Sequence, residues 1–216
     1  MFDFKGALAA IVMGAIVSFL GYITWLLLLI VFAIASHLAT KYKFEYKKAH
    51  KYQEGEKGER KISNVVYAGS IGVVIAIGNF VSPLRLPYFL LFAAAFAAIT
   101  ADTFGSELGT LDSKTYLITT FRRTTTGING GISFLGEVAA LVGSLIIAIS
   151  YSLMSVNGII VYDLIAITTA GFISCQIDSI LGAVFENKGK LSKGQVNFLA
   201  SLSSVLIALP FFLLIH

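Results

Sequence analysis

The chain has 216 residues, of which 56% are hydrophobic and only 13% charged, with a net charge of +4 at pH 7 and a mean hydropathy of +0.83. A soluble domain carries about 25% charged residues, so this composition excludes an ordinary soluble domain and predicts a polytopic membrane protein. The single cysteine, Cys175, excludes an intrachain disulfide. No nucleic-acid partner is expected, because membrane topology accounts for the basic residues.

Seven apolar runs follow one another along the chain, each close to the roughly 20 residues that a transmembrane helix needs. The predicted helices are Phe4–Leu20, Tyr22–Thr40, Asn64–Phe80, Tyr88–Gly105, Ile132–Leu153, Ile159–Phe185 and Val196–Leu214. One helix spanning the first two runs would overshoot the bilayer, so we predict a tight turn at Gly21. The first run lacks a cleavage site followed by a polar mature sequence, and we therefore expect no signal peptide. The expected fold is all-α, a helix bundle of about seven transmembrane helices forming one integral-membrane domain over residues 1–216.

Five polar segments separate the other runs. They are the lysine-rich segment Lys41–Ser63, the two-proline turn Ser82–Pro87, the loop Gly109–Gly131, the turn Ser155–Gly158 and the loop Glu186–Gln195. Proline and glycine in the two short turns are typical of a chain that reverses direction.

The basic residues lie almost entirely on one side of the predicted bundle. With a cytoplasmic N-terminus, the outer side holds only Arg85, and the inner side holds Lys5, Lys41, Lys43, Lys47, Lys48, Lys51, Lys57, Arg60, Lys61, Lys114, Arg122, Arg123, Lys188, Lys190 and Lys193. This asymmetry predicts a multi-pass protein with its N-terminus in the cytoplasm. We interpret Lys47, Lys48, Lys51 and Lys57 as topology-setting charges. Lys41 and Lys43, at the end of the second helix, are alternatively ligands for a phosphate or an anionic lipid headgroup.

Two carboxylates, Asp102 and Glu107, close an apolar run, Leu86–Thr100, that has no charged residue. A charge at bilayer depth costs about 2.5–3.5 kcal/mol, so such residues are candidates for function. Gly105 and Gly109 allow the helix to loosen around them. Hard oxygen ligands near a helix end suit Mg²⁺, which takes the rest of its shell from water and phosphate. The alternative is a polar helix terminus with a fortuitous acid pair.

Asp178 is likewise a carboxylate near the end of a long apolar run, because about seven mostly apolar residues separate it from Glu186 in the loop that follows. It is a candidate metal ligand or general base, and the alternative is an intramembrane salt bridge or hydrogen bond. Glu137, early in the fifth helix, either supports this site or has a structural role only. We expect the two carboxylate-bearing helix ends to be halves of one site on the cytoplasmic side.

The loop Thr119–Ser133 is the best phosphate-binding candidate in the chain. It combines hydroxyl groups, two arginines and several glycines just before a helix start. Backbone N–H groups at a helix start hold anions, and arginine binds phosphate through two hydrogen bonds. The loop lacks the Gly-Lys-Ser/Thr ending of a P-loop, and a simple Gly/Thr-rich turn is the alternative.

Several motifs occur in a specific order over essentially the whole chain. They are Ala101-Asp102-Thr103-x-x-Ser106-Glu107-x-Gly109, Leu117-Ile118-Thr119-Thr120, Gly127-x-Asn129-Gly130-Gly131-Ile132-Ser133, Asp178-Ser179-x-Leu181-Gly182-Ala183 and Val196-Asn197-Phe198-Leu199. Together they resemble the integral-membrane family that contains transmembrane protein nineteen and the plant phytyl-phosphate kinase of the vitamin E pathway.

The resemblance implies that a nucleoside triphosphate, with CTP favoured, phosphorylates an isoprenyl monophosphate lipid of phytyl or geranylgeranyl type at the cytoplasmic membrane face. On this hypothesis Asp102, Glu107 and Asp178 are the catalytic and Mg²⁺-binding residues. The predicted nucleotide and phosphate ligands are Lys41, Arg122, Arg123, Thr126, Gly127, Asn129, Gly130, Gly131, Ser179, Asn187 and Asn197. The oligomeric state, the acceptor's chain length and the division of labour among the carboxylates stay open.

Two rival functions remain at this point. A CTP-dependent cytidylyltransferase acting on a lipid phosphate would use similar groups but release pyrophosphate. A transporter also places acids and glycine-broken helices within the membrane. No inverted repeat is evident in the sequence, and the polar motifs gather on one side of the predicted membrane, which favours an enzyme.

Overall fold

The computed structural model describes residues 4–53, 62–82, 86–156, 158 and 160–215. Within these ranges the chain forms a bundle of eight α-helices with one small antiparallel sheet. The helices are α1 (Phe4–Leu20), α2 (Ile23–Lys41), α3 (Phe44–Ala49), α4 (Ile62–Val81), α5 (Tyr88–Gly109), α6 (Phe134–Met154), α7 (Val161–Leu181) and α8 (Lys193–Ile215). Some residues of the predicted basic segment and turns lie outside the described ranges, namely Lys57, Arg60, Lys61, Pro83, Leu84, Arg85 and Asn157.

The described helices confirm the predicted all-α membrane bundle. Helices α2, α5, α6, α7 and α8 are long and apolar enough to cross a membrane, and α1 and the Val65–Val81 part of α4 are shorter apolar helices. Each of the seven predicted runs is therefore helical. The short helix α3 was not predicted, and the cytoplasmic location of the N-terminus stays a prediction.

Helices α1 and α2 separate at Gly21, as the sequence predicts. The Gly21 N–H donates to the Val17 carbonyl at 2.9 Å. A Cβ atom at this position would come within 2.8 Å of both the Val17 carbonyl oxygen and the Trp25 ring. Only glycine fits this tight turn, because any side chain would push the two helices apart.

Helix α5 lies at the centre of the bundle and contacts α2, α4, α6, α7 and α8. Its residues from Leu90 to Ala101 are all buried. The run of alanines lets neighbouring backbones approach closely, as membrane helices do at small residues. On one side Trp25 packs against Phe89 and Phe92, with ring centroids 5.7 and 4.7 Å apart. This central helix carries Asp102 and Glu107 in its last two turns.

Small residues bring α6 and α7 directly against α5. A Cβ at Gly143 of α6 would lie 2.8 Å from the Thr100 carbonyl oxygen, and one at Gly171 of α7 would lie 2.8 Å from the Ala97 Cβ. Nearer the polar end, a Cβ at Gly109 would lie 3.1 Å from the Gly136 Cα. Such close crossings are typical of membrane helices. They hold the polar ends of the three helices together.

The loop between α5 and α6 contains a three-stranded antiparallel sheet that the sequence did not predict. Its strands are β1 (Thr115–Leu117), β2 (Arg123–Thr124) and β3 (Gly131–Ile132), with β1 in the middle. Thr115 pairs with Thr124 and Leu117 pairs with Gly131. Two- and three-residue strands are too short to leave an alternating hydrophobic pattern, so pairing rather than local propensity forms them.

Candidate functional site

A cavity of about 180 Å³ opens at one end of the bundle. Its wall combines the C-terminal ends of α5 and α7, the N-terminal ends of α6 and α8, and the loop that carries the sheet. Asp102, Glu107 and Asp178, which come from two different helix ends, all line this cavity. The fold therefore brings together the carboxylates that the sequence analysis treated as halves of one site.

Asp178 is the most constrained of these carboxylates. Its Oδ2 atom is buried and has no hydrogen-bond partner among the residues that the structure describes. The carboxyl groups of Asp102 and Asp178 are close enough to interact directly, and the charges of Lys193 and Glu186 also act on Asp178. A buried polar atom without a partner is costly, and in a cavity this one is available to a ligand or a cation.

Helix α7 changes its winding about one turn after Asp178. It continues into a π-helical turn, Gly182–Glu186, in which the Asn187 N–H donates to the Gly182 carbonyl at 3.1 Å. A Cβ at Gly182 would meet the Asn129 Cβ at 3.4 Å, so this turn lies against the glycine-rich loop. Single π-helical turns are frequent at functional sites. This one brings Glu186 to the wall of the cavity.

Glu107 is held by a lysine that the sequence analysis did not assign to the site. The Lys47 ammonium donates to Glu107 Oε2 at 2.5 Å, to the Thr40 carbonyl at 2.7 Å and to the Ala39 carbonyl at 3.1 Å. Lys47 is only 1% exposed, so it has a structural role that its prediction as a topology-setting charge did not include. The pair joins α3 to α5 and neutralises one of the cavity's carboxylates.

Glu137 also lines the cavity and is oriented by a side chain from α7. The Gln176 Nε2 donates to Glu137 Oε2 at 2.7 Å. Glu137 lies in the first turn of α6, where the helix dipole favours a negative charge. The hydrogen bond links α6 to α7 beside Cys175, which is buried and forms part of the cavity wall.

The glycine-rich loop covers the cavity and packs on α7. Thr126, Gly127, Asn129, Gly130 and Gly131 all line it. Gly127 and Gly130 have positive φ values of 87° and 79°, a conformation that favours glycine. The loop is tied to the segment after α7, because the Asn187 side chain donates to the Asn129 carbonyl at 3.0 Å.

Replacing Gly130 with alanine is expected to displace this loop. The new Cβ would lie 2.5 Å from the Ala183 Cβ and 2.7 Å from the Ser179 carbonyl oxygen, and overpacking of this kind costs about 1–3 kcal/mol. Gly189→Ala is a matched control, because Gly189 also has a positive φ of 66° but no atom of the described residues within 4 Å of its Cβ position. Thermal unfolding measures the difference in stability between the two variants. Equal destabilisation of both would contradict tight packing of the loop.

The predicted site residues divide into two groups. The cavity wall includes Asp102, Glu107, Thr126, Gly127, Asn129, Gly130, Gly131, Asp178, Ser179 and Asn197. The wall does not include Lys41, Arg122, Arg123 or Asn187. Lys41 is exposed, with its ammonium 4.7 Å from the Phe44 ring centroid. Both arginines are exposed beside the hairpin that joins β1 and β2.

Several cavity residues were not assigned to the site from the sequence. Tyr52 follows α3 and approaches the loop, since a Cβ at Gly127 would lie 3.0 Å from its ring. Glu186 and Lys193 also line the cavity. The spacing of Lys193 and Asn197, four residues apart, places them on one face of a helix, and this was the available signal for Lys193. No local pattern marks Tyr52, because its position depends on the packing of α3.

The carboxylates include a pair that could hold Mg²⁺ together with phosphate oxygens. Among the described residues, no three His, Cys, Asp or Glu side chains are arranged to hold a metal ion by themselves. Magnesium commonly binds to proteins through one or two carboxylates and keeps waters and substrate phosphates as its other ligands. Asp102 and Asp178, with the unpartnered Oδ2 atom, provide such a pair. Glu107 is already engaged by Lys47.

The fold and the cavity together define a polytopic helical membrane protein with an acidic, glycine-lined site at one end of its bundle. The family model described as integral membrane protein DUF92 matches residues 1–205. The chain therefore belongs to this integral-membrane family, and the family resemblance recognised from the ordered motifs is confirmed.

Relatives from three kinds of organism match the chain. An uncharacterized membrane protein of Methanocaldococcus jannaschii is 32% identical over 203 residues, covering 93% of this chain and 81% of the relative. An uncharacterized membrane protein of Synechocystis is 31% identical, covering 82% of this chain and 69% of the relative. Protein VTE6, chloroplastic, of Arabidopsis thaliana is 31% identical, covering 78% of this chain and 54% of VTE6. No solved structure matches the chain significantly.

Proposed function

We propose that this protein is a membrane kinase that transfers a phosphoryl group from a nucleoside triphosphate, with CTP favoured, to an isoprenyl monophosphate of phytyl or geranylgeranyl type. The observation that carries the proposal is the cavity, in which paired carboxylates from α5 and α7 lie beneath a glycine-rich loop. Membership of the DUF92 family, with its motif resemblance to plant phytyl-phosphate kinase, supports the same reaction.

The roles follow from what each group touches. Asp102 and Asp178 are the proposed ligands of Mg²⁺, because they interact directly and Asp178 has an unpartnered oxygen. Magnesium, when bound, would neutralise charge on the transferred group. Glu107 holds Lys47 and is proposed to shape the site rather than to ligate metal, which revises the role expected from the sequence.

The glycine loop is proposed to hold phosphate oxygens. Gly127 and Gly130 have positive φ and no side chain, so the backbone can approach a ligand closely there, and Thr126 lines the wall beside them. The Gly131 N–H already donates to the Ile128 carbonyl at 3.0 Å and holds the shape of the loop. The Thr115 and Thr126 hydroxyls lie 3.0 Å apart and fix this side of the loop to β1. A loop held in place before the substrate arrives loses less entropy on binding.

The reaction needs little acid–base chemistry from the protein. An oxygen of the acceptor monophosphate attacks the γ-phosphorus, the bond from that phosphorus to the β–γ bridging oxygen breaks, and the nucleoside diphosphate leaves. The acceptor oxygen is already ionised near neutral pH, so no strong general base is required. The protein's task is to align two polyanions and balance their charge. The acceptor's hydrocarbon tail is proposed to remain in the lipid on the cytoplasmic side of the membrane.

A product analysis tests the proposal. Purified protein with Mg²⁺, each of the four nucleoside triphosphates, and phytyl, geranylgeranyl or longer isoprenyl phosphates is expected to form the lipid diphosphate and the nucleoside diphosphate. A CDP-lipid with released pyrophosphate would instead establish a cytidylyltransferase. If no lipid phosphate were labelled by any nucleotide while the protein remained folded, the enzyme hypothesis would be rejected and transport assays would follow.

A further inference from the structure

The cavity has a strongly unbalanced charge. Its described wall contains five carboxylates, from Asp102, Glu107, Glu137, Asp178 and Glu186. Lys193 is the one cationic side chain among the described residues of that wall. A phosphate-bearing ligand entering this cavity would be repelled by the carboxylates, so each positive group near it has a large influence on binding.

Other nearby cations are not placed to make this contact. An ammonium group has three N–H donors, and Lys47 uses its donors on Glu107, Thr40 and Ala39. Arg122 and Arg123 are exposed at the hairpin and are not part of the cavity wall. Lys193, which already interacts with neighbouring groups that include Asp178, is therefore the cation of the described cavity wall that an incoming phosphate would meet.

Lys193 also has the geometry that such a role requires. It begins α8, and Asn197 lies one turn later on the same helix face, 8% exposed and in the cavity wall. Lys193 itself is exposed at this helix end, so its ammonium can reach a ligand at the mouth. The start of α8 is capped by its own side chains, because Ser192 Oγ accepts from the Gln195 N–H at 3.3 Å and Gln195 Oε1 accepts from the Ser192 N–H at 2.9 Å. Beside this capped helix start, the Lys193 and Asn197 side chains supply further hydrogen-bond donors.

We propose that Lys193 binds a phosphate group at the mouth of the cavity, with Asn197 beside it. This inference rests on the proposed function, since it requires a ligand that carries phosphate. In the ligand-free protein the Lys193 charge acts on Asp178, and a phosphate binds between this lysine and the carboxylate pair when a divalent cation is present. Lys193 thus takes the role that the sequence analysis gave to Arg122 and Arg123.

Ligand-binding measurements on Lys193→Ala test this inference. Mg²⁺ with CTP forms one arm and Mg²⁺ with geranylgeranyl phosphate the other, each followed by the ligand-induced rise in the thermal unfolding temperature of detergent-purified protein. Loss of a charge-assisted hydrogen bond is expected to raise the Kd for the contacted ligand by roughly tenfold or more. The affected arm identifies whether the phosphate belongs to the nucleotide or the lipid.

Two matched variants keep the result interpretable. Lys190→Ala removes an equal charge three residues earlier, from an exposed lysine outside the cavity wall, and is expected to change either Kd by less than about twofold. Lys193→Arg keeps the charge and is expected to retain most of the affinity. If Lys193→Ala bound both ligands as tightly as the unmodified protein, the inference would be overturned.

The outcome for Lys193 is separable from the outcome for the proposed function. If the unmodified protein bound CTP or geranylgeranyl phosphate in a Lys193-dependent way but formed no lipid diphosphate, the kinase proposal would fail and the phosphate-binding role would stand. If it formed the diphosphate and Lys193→Ala left both dissociation constants unchanged, the kinase proposal would stand and the role of Lys193 would fall.

Discussion

Replacing Asp178 with asparagine is expected to lower kcat for lipid phosphorylation by about 10²- to 10³-fold, the range found when one group that stabilises developing charge is removed. The variant should fold normally or become more stable. The substitution removes a carboxyl group whose charged form is disfavoured first by burial and then by Asp102 and Glu186, against the favourable effect of Lys193, and an asparagine side chain occupies nearly the same volume. Lower activity combined with an equal or higher unfolding temperature is the pattern of a functional residue that costs stability.

Asp163→Asn is the control for this substitution. Asp163 lies in the first turn of the same helix, far along α7 from Asp178, and its Oδ2 accepts a hydrogen bond from the Tyr151 hydroxyl at 3.1 Å. Its asparagine variant keeps an acceptor for Tyr151 and is expected to retain activity within a few-fold. Steady-state kinetics at several Mg²⁺ concentrations and thermal unfolding are measured on both proteins. Full activity of Asp178→Asn would remove Asp178 from the proposed mechanism.

Replacing Lys47 with alanine is expected to destabilise the protein by about 3–5 kcal/mol, the usual cost of breaking a buried ion pair by removing one partner. Glu107, which is 13% exposed, would lose its ion-pair partner, and the Thr40 and Ala39 carbonyls would lose their donor. Lys48→Ala, at the next position, is the control because Lys48 is exposed. The free energy of unfolding of Lys48→Ala is expected to change by less than about 0.5 kcal/mol. Denaturant unfolding in detergent measures the free energy of unfolding of the Lys47→Ala and Lys48→Ala variants.

The double variant Lys47→Met with Glu107→Leu separates the charge effect from the packing effect. Replacing both partners with apolar side chains of similar size is often neutral for stability, so this protein is expected to recover most of the stability that Lys47→Ala loses. If it stayed as unstable as the single variant, the ion pair would not be the cause. Its activity then tests whether Glu107 has a direct role in the site.

The carboxylates that line the cavity were accessible to sequence reasoning for one physical reason. A charge inside an apolar run is expensive in a membrane, so Asp102 and Asp178 stand out without knowledge of their neighbours. The same reasoning found the helices, because about 20 apolar residues are needed to span the bilayer. The loop glycines were found through their clustering before a helix start, and two of them do adopt positive φ.

The positions of positively charged side chains are harder to predict from the sequence. Lysines and arginines near helix ends satisfy the positive-inside rule wherever their side chains point, so the rule cannot separate a buried lysine from a solvated one. Lys47 is buried against Glu107 although 60 positions separate the two residues. Arg122 and Arg123 had the expected chemistry for phosphate, yet the pairing of β1 with β2 leaves them exposed outside the cavity wall.

The sequence by itself determined the membrane bundle, the approximate ends of the apolar helices, the family, and the pair of acidic helix ends, because hydrophobic length and the cost of a buried charge act locally along the chain. The tertiary structure decided which charges meet. Close glycine crossings between α5, α6 and α7 brought Asp102 beside Asp178, the packing of α3 paired Lys47 with Glu107, and the start of α8 placed Lys193 in the cavity wall. Contacts between distant segments depend on packing of the whole bundle, which no local pattern of residues specifies.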